Sequence, residues 1–261
     1  MSSPEQSVSF DRAATYYDQT RGFPAGIDLK AAALMAQTAG ITRDSQVIEI
    51  GVGTGRLALP LAQHSGRYYG VDLSAAMMDV LRSKQPAYPD GDIRLTAGDV
   101  MRLPLKSGSI DFAVMVHILH LIPDPQAAVR ELARVLKPGG AAVAGWNWRR
   151  EPTLEILSQA WGDVTGDFLR HDRRDTAPET LEAAGWRLRR QDGLQYSTTM
   201  TATQKIEAFR GRIYSSLWRL PDEVWRAGVE AMEKALAEHY PDPDAPQPVE
   251  HTFFVAVYER P

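Results

Sequence analysis

The chain has 261 residues, of which 44% are hydrophobic and 24% are charged, and its formal net charge is -4. These values are typical of a globular protein that forms one large domain or a domain with a smaller addition, and they exclude a disordered or fibrous chain. The acidic balance argues against nucleic acid as a partner, and the absence of cysteine excludes disulfides, thiolate metal sites and a cysteine nucleophile.

The first 45 residues are predicted to form two helices, near 9–19 and 26–39, which is more than a bare dinucleotide-binding fold needs. We interpret residues 1–45 as a helical lid over a cofactor. The chain start, MSSPEQSVSFDR, has no basic stretch followed by an apolar one, so we expect no secretory signal. Since no apolar run reaches the roughly 20 residues of a membrane span, we expect a cytoplasmic protein that does not bind membranes.

The next 100 residues alternate short apolar or β-branched runs with helical patterns, which is typical of parallel βα units. The predicted strands lie near 46–50, 67–72, 92–97, 110–116 and 140–146, and the predicted helices near 54–64, 75–84 and 125–136. Ser74 and Asp124 are suitable capping residues, and Pro125 suits the first helical position. The pattern predicts an α/β fold with a Rossmann-like, doubly wound sheet.

The residues after Trp148 are predicted to complete this sheet around an insertion. Helices are expected near 153–161, 178–184, 202–213 and 222–239, and strands near 186–198 and 250–258. We expect residues 46–201 and 249–261 to form the cofactor-binding core. Residues 202–248 would then be a helical insertion that forms part of the substrate pocket.

The segment VIEIGVGTGR at 47–56 predicts a ligand cradle. An apolar strand and an acid are followed by Gly51, Gly53 and Gly55 and then by a helix-forming stretch. Glycine tolerates positive φ and lets backbone N–H groups approach a ligand closely. We therefore expect a ligand beyond the carboxyl end of the first strand, where open α/β sheets bind their ligands.

This segment resembles the first motif of class I S-adenosylmethionine-dependent methyltransferases, in which an acid precedes a GxGxG loop. Four further stretches resemble the family in the same order: VDLS at 71–74, GDVMRLPL at 98–105, FAVMVHILHLIPDP at 112–125 and RVLKPGG at 134–140. The last two are similar to the ubiquinone- and menaquinone-type enzymes, the methyltransferase type 11 group. The resemblance implies a seven-stranded mixed sheet with an antiparallel last strand. It also implies S-adenosylmethionine as the methyl donor, S-adenosylhomocysteine as the product, and a small-molecule acceptor.

The resemblance further implies how individual residues contact the cofactor. Glu49 would orient the glycine loop and face the ammonium group of the cofactor. Asp72 would hold the ribose hydroxyls, since paired carboxylate oxygens suit a vicinal diol, with Leu73 beside it. Asp99 and Val100 would contact the adenine amino group and ring.

The stretch FDRAATYYDQTRG at 10–22 resembles the lid of this group. Tyr17 and Arg21 would close over the methionine end of the cofactor, where an arginine can hold a carboxylate with two parallel hydrogen bonds. The alternative is that both residues are ordinary surface and packing residues.

Methyl transfer can be accelerated by positioning alone, so a base is needed only if the acceptor loses a proton. His117 and His120 follow the fourth strand and are the candidate bases, with His117 also counted among the residues at the cofactor. His120 could instead hydrogen-bond a loop. Tyr214 and Trp218, in the insertion, are candidate substrate residues, although tryptophans could equally fill the core.

Two other functions remain open from the sequence. Gly51, Gly53 and Asp72 also fit a nicotinamide-dependent oxidoreductase, but the third glycine of that fingerprint would stand at position 56, where the chain has Arg56. A non-catalytic cofactor-binding module or a partner-dependent subunit would keep the glycine loop and have a closed acceptor pocket. No carboxylate cluster suggests a metal site, and we expect a monomer or a homodimer.

Overall fold

The computed structural model describes residues 10–11, 14–169 and 177–261. It divides into two compact units whose boundaries fall inside three of the strands. Unit 1 takes the described residues of Met1–Asn147, Asp175–Leu194 and Phe253–Pro261, and unit 2 takes those of Trp148–Arg174 and Gln195–Thr252.

The strands form one seven-stranded mixed sheet in the order β3-β2-β1-β4-β5-β7-β6, with the last strand antiparallel. Their bounds are β1 Gln46–Ile50, β2 Arg67–Asp72, β3 Ile93–Ala97, β4 Ile110–Val116, β5 Leu136–Arg150, β6 Arg187–Met200 and β7 Gln247–Glu259. The four pairings among β1 to β5 are parallel. The predicted α/β, Rossmann-like fold is confirmed.

The helices of the described residues are nine in number, with short 3-10 turns between some of them. Their bounds are α1 Tyr17–Arg21, α2 Ile27–Ala39, α3 Ala58–Ala62, α4 Ala75–Lys84, α5 Pro125–Val135, α6 Glu155–Leu169, α7 Ala177–Ala183, α8 Ala202–Arg210 and α9 Asp222–His239. No helix in the described part of the chain combines the length and the apolar character that a membrane span requires.

Local sequence signals fix several of these ends. The Ser74 side chain accepts the N–H of Met77 and caps α4, and the Asp124 side chain accepts the N–H of Ala127 and caps α5, which begins with proline. The helices predicted at 75–84 and 125–136 are thus confirmed to within one residue. Parallel β1, β2 and β4 match the predicted strands at every bound.

Other elements differ from prediction. The helix predicted at 54–64 is only Ala58–Ala62, because residues 51–55 are used for a turn with three glycines at positive φ, a conformation that no helix contains. The first helix, predicted at 9–19, is Tyr17–Arg21, and residues 1–9 and 12–13 lie outside the described residues. The helix predicted at 202–213 ends at Arg210, before Gly211.

Each unit has its own buried apolar cluster. In unit 1, residues of β1 and β4 such as Ile48 and Met115 pack with Leu132 of α5. In unit 2, Trp161 of α6 packs with Met232 of α9. We predicted that residues 148–169 and 195–201 belong to the core. In the structure they group with the predicted insertion at 202–248, because apolar side chains of α6 pack against those of α9.

Candidate cofactor and active site

The glycine loop follows β1 and turns sharply at the tip of the sheet. Gly51, Gly53 and Gly55 have φ of 69°, 53° and 75°, in the left-handed region that side chains disfavour. A Cβ on Gly51 would lie 2.6 Å from the side chain of Ile118, and one on Gly55 would lie 2.5 Å from Cγ of Leu81. Glycine at these two positions is therefore required both by the backbone conformation and by the close neighbours.

Asp72 connects this loop to the tip of β2. One carboxylate oxygen accepts the N–H of Gly53 and the other accepts the N–H of Ser74, each at 2.8 Å. Burial raises the pKa of Asp72, while these backbone N–H groups act in the opposite direction. Because a carboxylate offers about four lone-pair positions, Asp72 keeps acceptor capacity for a ligand above the loop.

Glu49 lies beneath the loop and is 4% exposed. The hydroxyl of Tyr68, on β2, donates to its Oε2 at 2.5 Å. Burial raises the pKa of Glu49 to about 8, although the Tyr68 hydrogen bond and the positive charge of Arg56 both lower it. A cation bound nearby would favour the ionised carboxylate further. The sequence analysis missed Tyr68, whose role depends on the parallel pairing of β1 with β2.

We expect the substitution Glu49→Gln to change how stability depends on pH. The folded protein keeps the Glu49 proton up to pH about 8, whereas the unfolded chain loses it near 4.5. The free energy of unfolding of the wild type therefore falls as the pH rises through that window, by at most about 1.4 kcal/mol per pH unit. Glutamine does not titrate, so the variant gains stability relative to the wild type with rising pH. Urea unfolding at a series of pH values measures the difference, with the exposed Glu179→Gln as control. If the free energy of unfolding depends on pH in the same way in the wild type and in the Glu49→Gln variant, Glu49 is ionised in the folded protein.

Carboxylates of the N-terminal segment hold it to the glycine loop and to α4. Asp18, on α1, accepts the hydroxyl of buried Thr54 at 2.5 Å and the ammonium of Lys84, on α4, at 2.7 Å. A second tie joins Asp11 to the hydroxyl of Ser74 at 2.5 Å. The sequence analysis did not identify Asp18, because neither contact is local in sequence.

We expect Asp18→Asn to loosen this segment. The amide loses the ion pair with Lys84 and one acceptor, at a cost of about 1 kcal/mol for partly exposed groups. Limited trypsin digestion should then cut the N-terminal segment several times faster, and cofactor affinity should fall several-fold. Asp79→Asn is the matched control, since Asp79 is an exposed carboxylate that pairs with Arg82 on the same helix. If trypsin cuts both variants at the same rate, Asp18 does not hold the N-terminal segment in place.

A cavity at this tip of the sheet collects most of the predicted cofactor residues. Its lining contains Tyr17, Gly51, Gly53, Asp72, Leu73, Val100 and His117, and also Phe10, Met77, Val116, Ile118, Leu121 and Ile122, which the sequence analysis did not single out. The cavity is narrow, about 70 Å³, and the Ile118 side chain lies against Gly51. The Ile118 side chain and the loop therefore form adjoining parts of the same cavity wall.

The remaining predicted cofactor residues lie outside this lining. Gly55 packs against α4, and Asp99 accepts the N–H of Met101 at 2.9 Å. Glu49 lies below the loop, as described above. Arg21 ends α1, and its side chain lies outside the described residues.

The two candidate bases differ in position. His117 lines the cavity and has a left-handed backbone, with φ of 52°, which is a strained conformation for a histidine. Its Nε2 accepts the N–H of Asn147 at 3.3 Å, and the buried amide oxygen of Asn147 has no hydrogen-bond partner among the described residues. His120 is exposed on the 119–121 turn and does not line the cavity.

The predicted substrate residues, Tyr214 and Trp218, belong to unit 2. The Trp218 indole N–H donates to the carbonyl of Arg212 at 2.8 Å. Tyr214 lines a cavity within unit 2. Among the residues that the structure describes, no group of His, Asp and Glu side chains is arranged to hold a metal ion.

Known proteins resemble the chain in sequence and in structure. Residues 48–144 match the family model "Methyltransferase domain". Demethylmenaquinone methyltransferase of Tropheryma whipplei is 32% identical over 137 residues, which are 51% of this chain and 55% of that protein. The biotin biosynthesis bifunctional protein BioHC of Cellvibrio japonicus is 28% identical over 198 residues, which are 76% of this chain and 36% of that protein.

A solved structure shares the fold over nearly the whole chain. It is the SAM-dependent methyltransferase of Thiobacillus denitrificans in complex with S-adenosylhomocysteine, with a TM-score of 0.56 and 16% identity, and the match covers 98% of this chain and 100% of that one. The family match spans β1 to β5 and includes both the glycine loop and Asp72. Residues 48–144 thus match a methyltransferase domain, and the match covers less than half of the chain.

Proposed function

We propose that this protein binds S-adenosylmethionine at the unit 1 cavity and transfers its methyl group to a small-molecule acceptor. One observation carries the proposal: the carboxylate of Asp72 accepts the N–H of Gly53 in the glycine loop and also lines the cavity. The relatives named above match only about a third to just over half of their own length. The support for the activity therefore comes from the residues of the site.

The residues present fit this cofactor. Gly51 and Gly53 line the cavity and present backbone without a side chain of their own, which lets a ligand approach the loop. Asp72 offers acceptors for a vicinal diol. Buried Glu49 can take up a negative charge when the cofactor's ammonium approaches, because an adjacent cation lowers the pKa of a carboxyl.

The apolar lining suits the rest of the molecule. Val100, which we propose as an adenine contact, and Leu73 line the cavity. Tyr17 and Phe10, whose ring centroids are 6.0 Å apart, line it from the N-terminal segment. When bound, S-adenosylmethionine supplies a methyl group on a positively charged sulfur. The protein then contributes orientation and the exclusion of water, which are large effects in bimolecular reactions.

A small-molecule acceptor agrees with the composition and with the relatives. The net charge of -4 gives little attraction for nucleic acid phosphates. The relatives are named for menaquinone and biotin biosynthesis, and both names refer to small molecules. We propose that His117, the candidate base that lines the cavity, acts on an acceptor that loses a proton.

Calorimetric titration tests the cofactor. We expect S-adenosylmethionine and S-adenosylhomocysteine to bind with micromolar affinity and NAD not to bind. Tight NAD binding would contradict the proposal in favour of an oxidoreductase. No binding of any of the three would contradict it as well, provided that circular dichroism shows a folded protein.

Turnover separates an enzyme from a non-catalytic module. Ile118 lies against Gly51 in a narrow cavity, which is the arrangement that a closed binding module would have. Formation of S-adenosylhomocysteine in a screen of small aromatic and apolar acceptors would exclude that alternative. Cofactor binding without turnover across the screen would favour it.

A further inference from the structure

Unit 2 contains a cavity of its own, of about 430 Å³. This volume lies within the range of small-molecule sites, which is roughly 300–1,000 Å³. All of its lining residues belong to unit 2. The lining combines charged side chains with aromatic rings.

A buried lysine forms part of the cavity wall. Lys205, on α8, donates to Glu151 Oε2 at 2.5 Å, to Ser158 Oγ at 2.5 Å and to the carbonyl of Leu154 at 3.1 Å. Burial lowers the pKa of Lys205, and the contact with Glu151 opposes that shift. Because all three ammonium donors are used, Lys205 fixes Glu151 in place rather than binding a ligand.

Glu151 is shared with a second cation. Its Oε1 lies 2.5 Å from Nε of Arg149, whose Nη2 lies 3.1 Å from the sulfur of Met200. The Arg149 guanidinium retains further N–H groups beyond these two contacts. Arg150 is paired with Glu250 at 3.6 Å, and this pair is weak because both side chains are more than half exposed.

The charged and aromatic residues of the lining together indicate which class of ligand fits this cavity. The lining has three cationic side chains and two carboxylates, Glu151 and Glu155. Phe209 and Tyr214 supply aromatic surface, with ring centroids 5.6 Å apart and an edge-on arrangement. Arginine forks recognise carboxylates, and aromatic rings contact flat apolar groups.

We propose that the unit 2 cavity binds a small aromatic carboxylate. Its carboxylate contacts Arg149 and Arg150, and its ring packs against Phe209 and Tyr214. This assignment does not depend on methyl transfer.

Ligand-observed NMR titration of the full chain tests the site with benzoate as the probe. Benzamide is the neutral control of the same shape, and inorganic phosphate is the anion without a ring. We expect benzoate to bind at least fivefold more tightly than either. Equal affinity for benzamide, equal affinity for phosphate, or no benzoate binding at millimolar concentration would overturn the assignment.

Variants locate the binding. Arg150→Gln should weaken benzoate binding at least threefold, and Arg149→Lys should weaken it further, because lysine keeps the pairing with Glu151 but lacks the guanidinium fork. Arg226→Gln, an exposed residue of α9 outside the cavity lining, is the matched control. Benzoate binding that is the same in all three variants would place the site elsewhere.

Titration of the same variants with S-adenosylmethionine separates the two proposals. Unchanged cofactor binding with weakened benzoate binding supports the unit 2 site. In the wild-type protein, cofactor binding without selective benzoate binding overturns the unit 2 site alone, and selective benzoate binding without cofactor binding overturns the proposed function alone.

Discussion

Asp72→Ala is expected to weaken the binding of S-adenosylmethionine at least tenfold. A hydrogen bond from a ligand to a charged group is worth roughly 1.5–3 kcal/mol, which is tenfold or more in affinity. The alanine also leaves the N–H groups of Gly53 and Ser74 without their partner, and so loosens the loop. Isothermal titration calorimetry below the melting temperature measures the change.

Two further variants make this result specific. Asp72→Asn keeps one acceptor oxygen without the charge, so its loss of affinity should be smaller than that of the alanine variant. Asp79→Ala removes an exposed carboxylate of α4 that pairs with Arg82, and should leave binding unchanged. Wild-type affinity in a folded Asp72→Ala protein would contradict the ribose assignment.

His117→Asn is expected to lower kcat about a hundredfold or more while cofactor affinity changes only a few-fold. General acid–base catalysis contributes about 10²–10⁴ to a rate, and an amide cannot act as the base. Asparagine tolerates the left-handed backbone at φ of 52° better than most residues, and so the loss would not come from backbone strain. Steady-state kinetics with an acceptor found by screening, together with calorimetry, give both quantities.

The pH dependence of kcat distinguishes a base from a positioning residue. A general base acts in its unprotonated form, so a base at 117 gives an acid limb in the pH profile that disappears in the asparagine variant. His239→Ala, an exposed histidine of α9, is the control. His120→Ala should lose less activity than the His117 variant, because His120 does not line the cavity. An asparagine variant with wild-type kcat would exclude His117 as the base.

The N-terminal segment affects the results expected for both the Asp72 and the His117 variants, because it lines the same narrow cavity. Ile118 lies against Gly51, and Asp18 holds α1 to Thr54 in the glycine loop. The measured affinity therefore includes the cost of any rearrangement of these residues as well as the gain from new contacts.

The sequence alone determined the fold class, the alternation of strands and helices, and the cofactor loop. These features depend on local signals: β-branched runs, the caps at Ser74 and Asp124, and glycines whose positive φ few other residues tolerate. These features could be predicted from the sequence because each depends on a few neighbouring residues.

Only the tertiary structure decided which side chains meet. Asp18 reaches Thr54 and Lys84, Tyr68 reaches Glu49, and Asn147 reaches His117, each across at least 19 residues of sequence. The grouping of α6 with α9 likewise depends on which apolar faces pack together. Such contacts are set by sheet register and by burial, which no local pattern specifies.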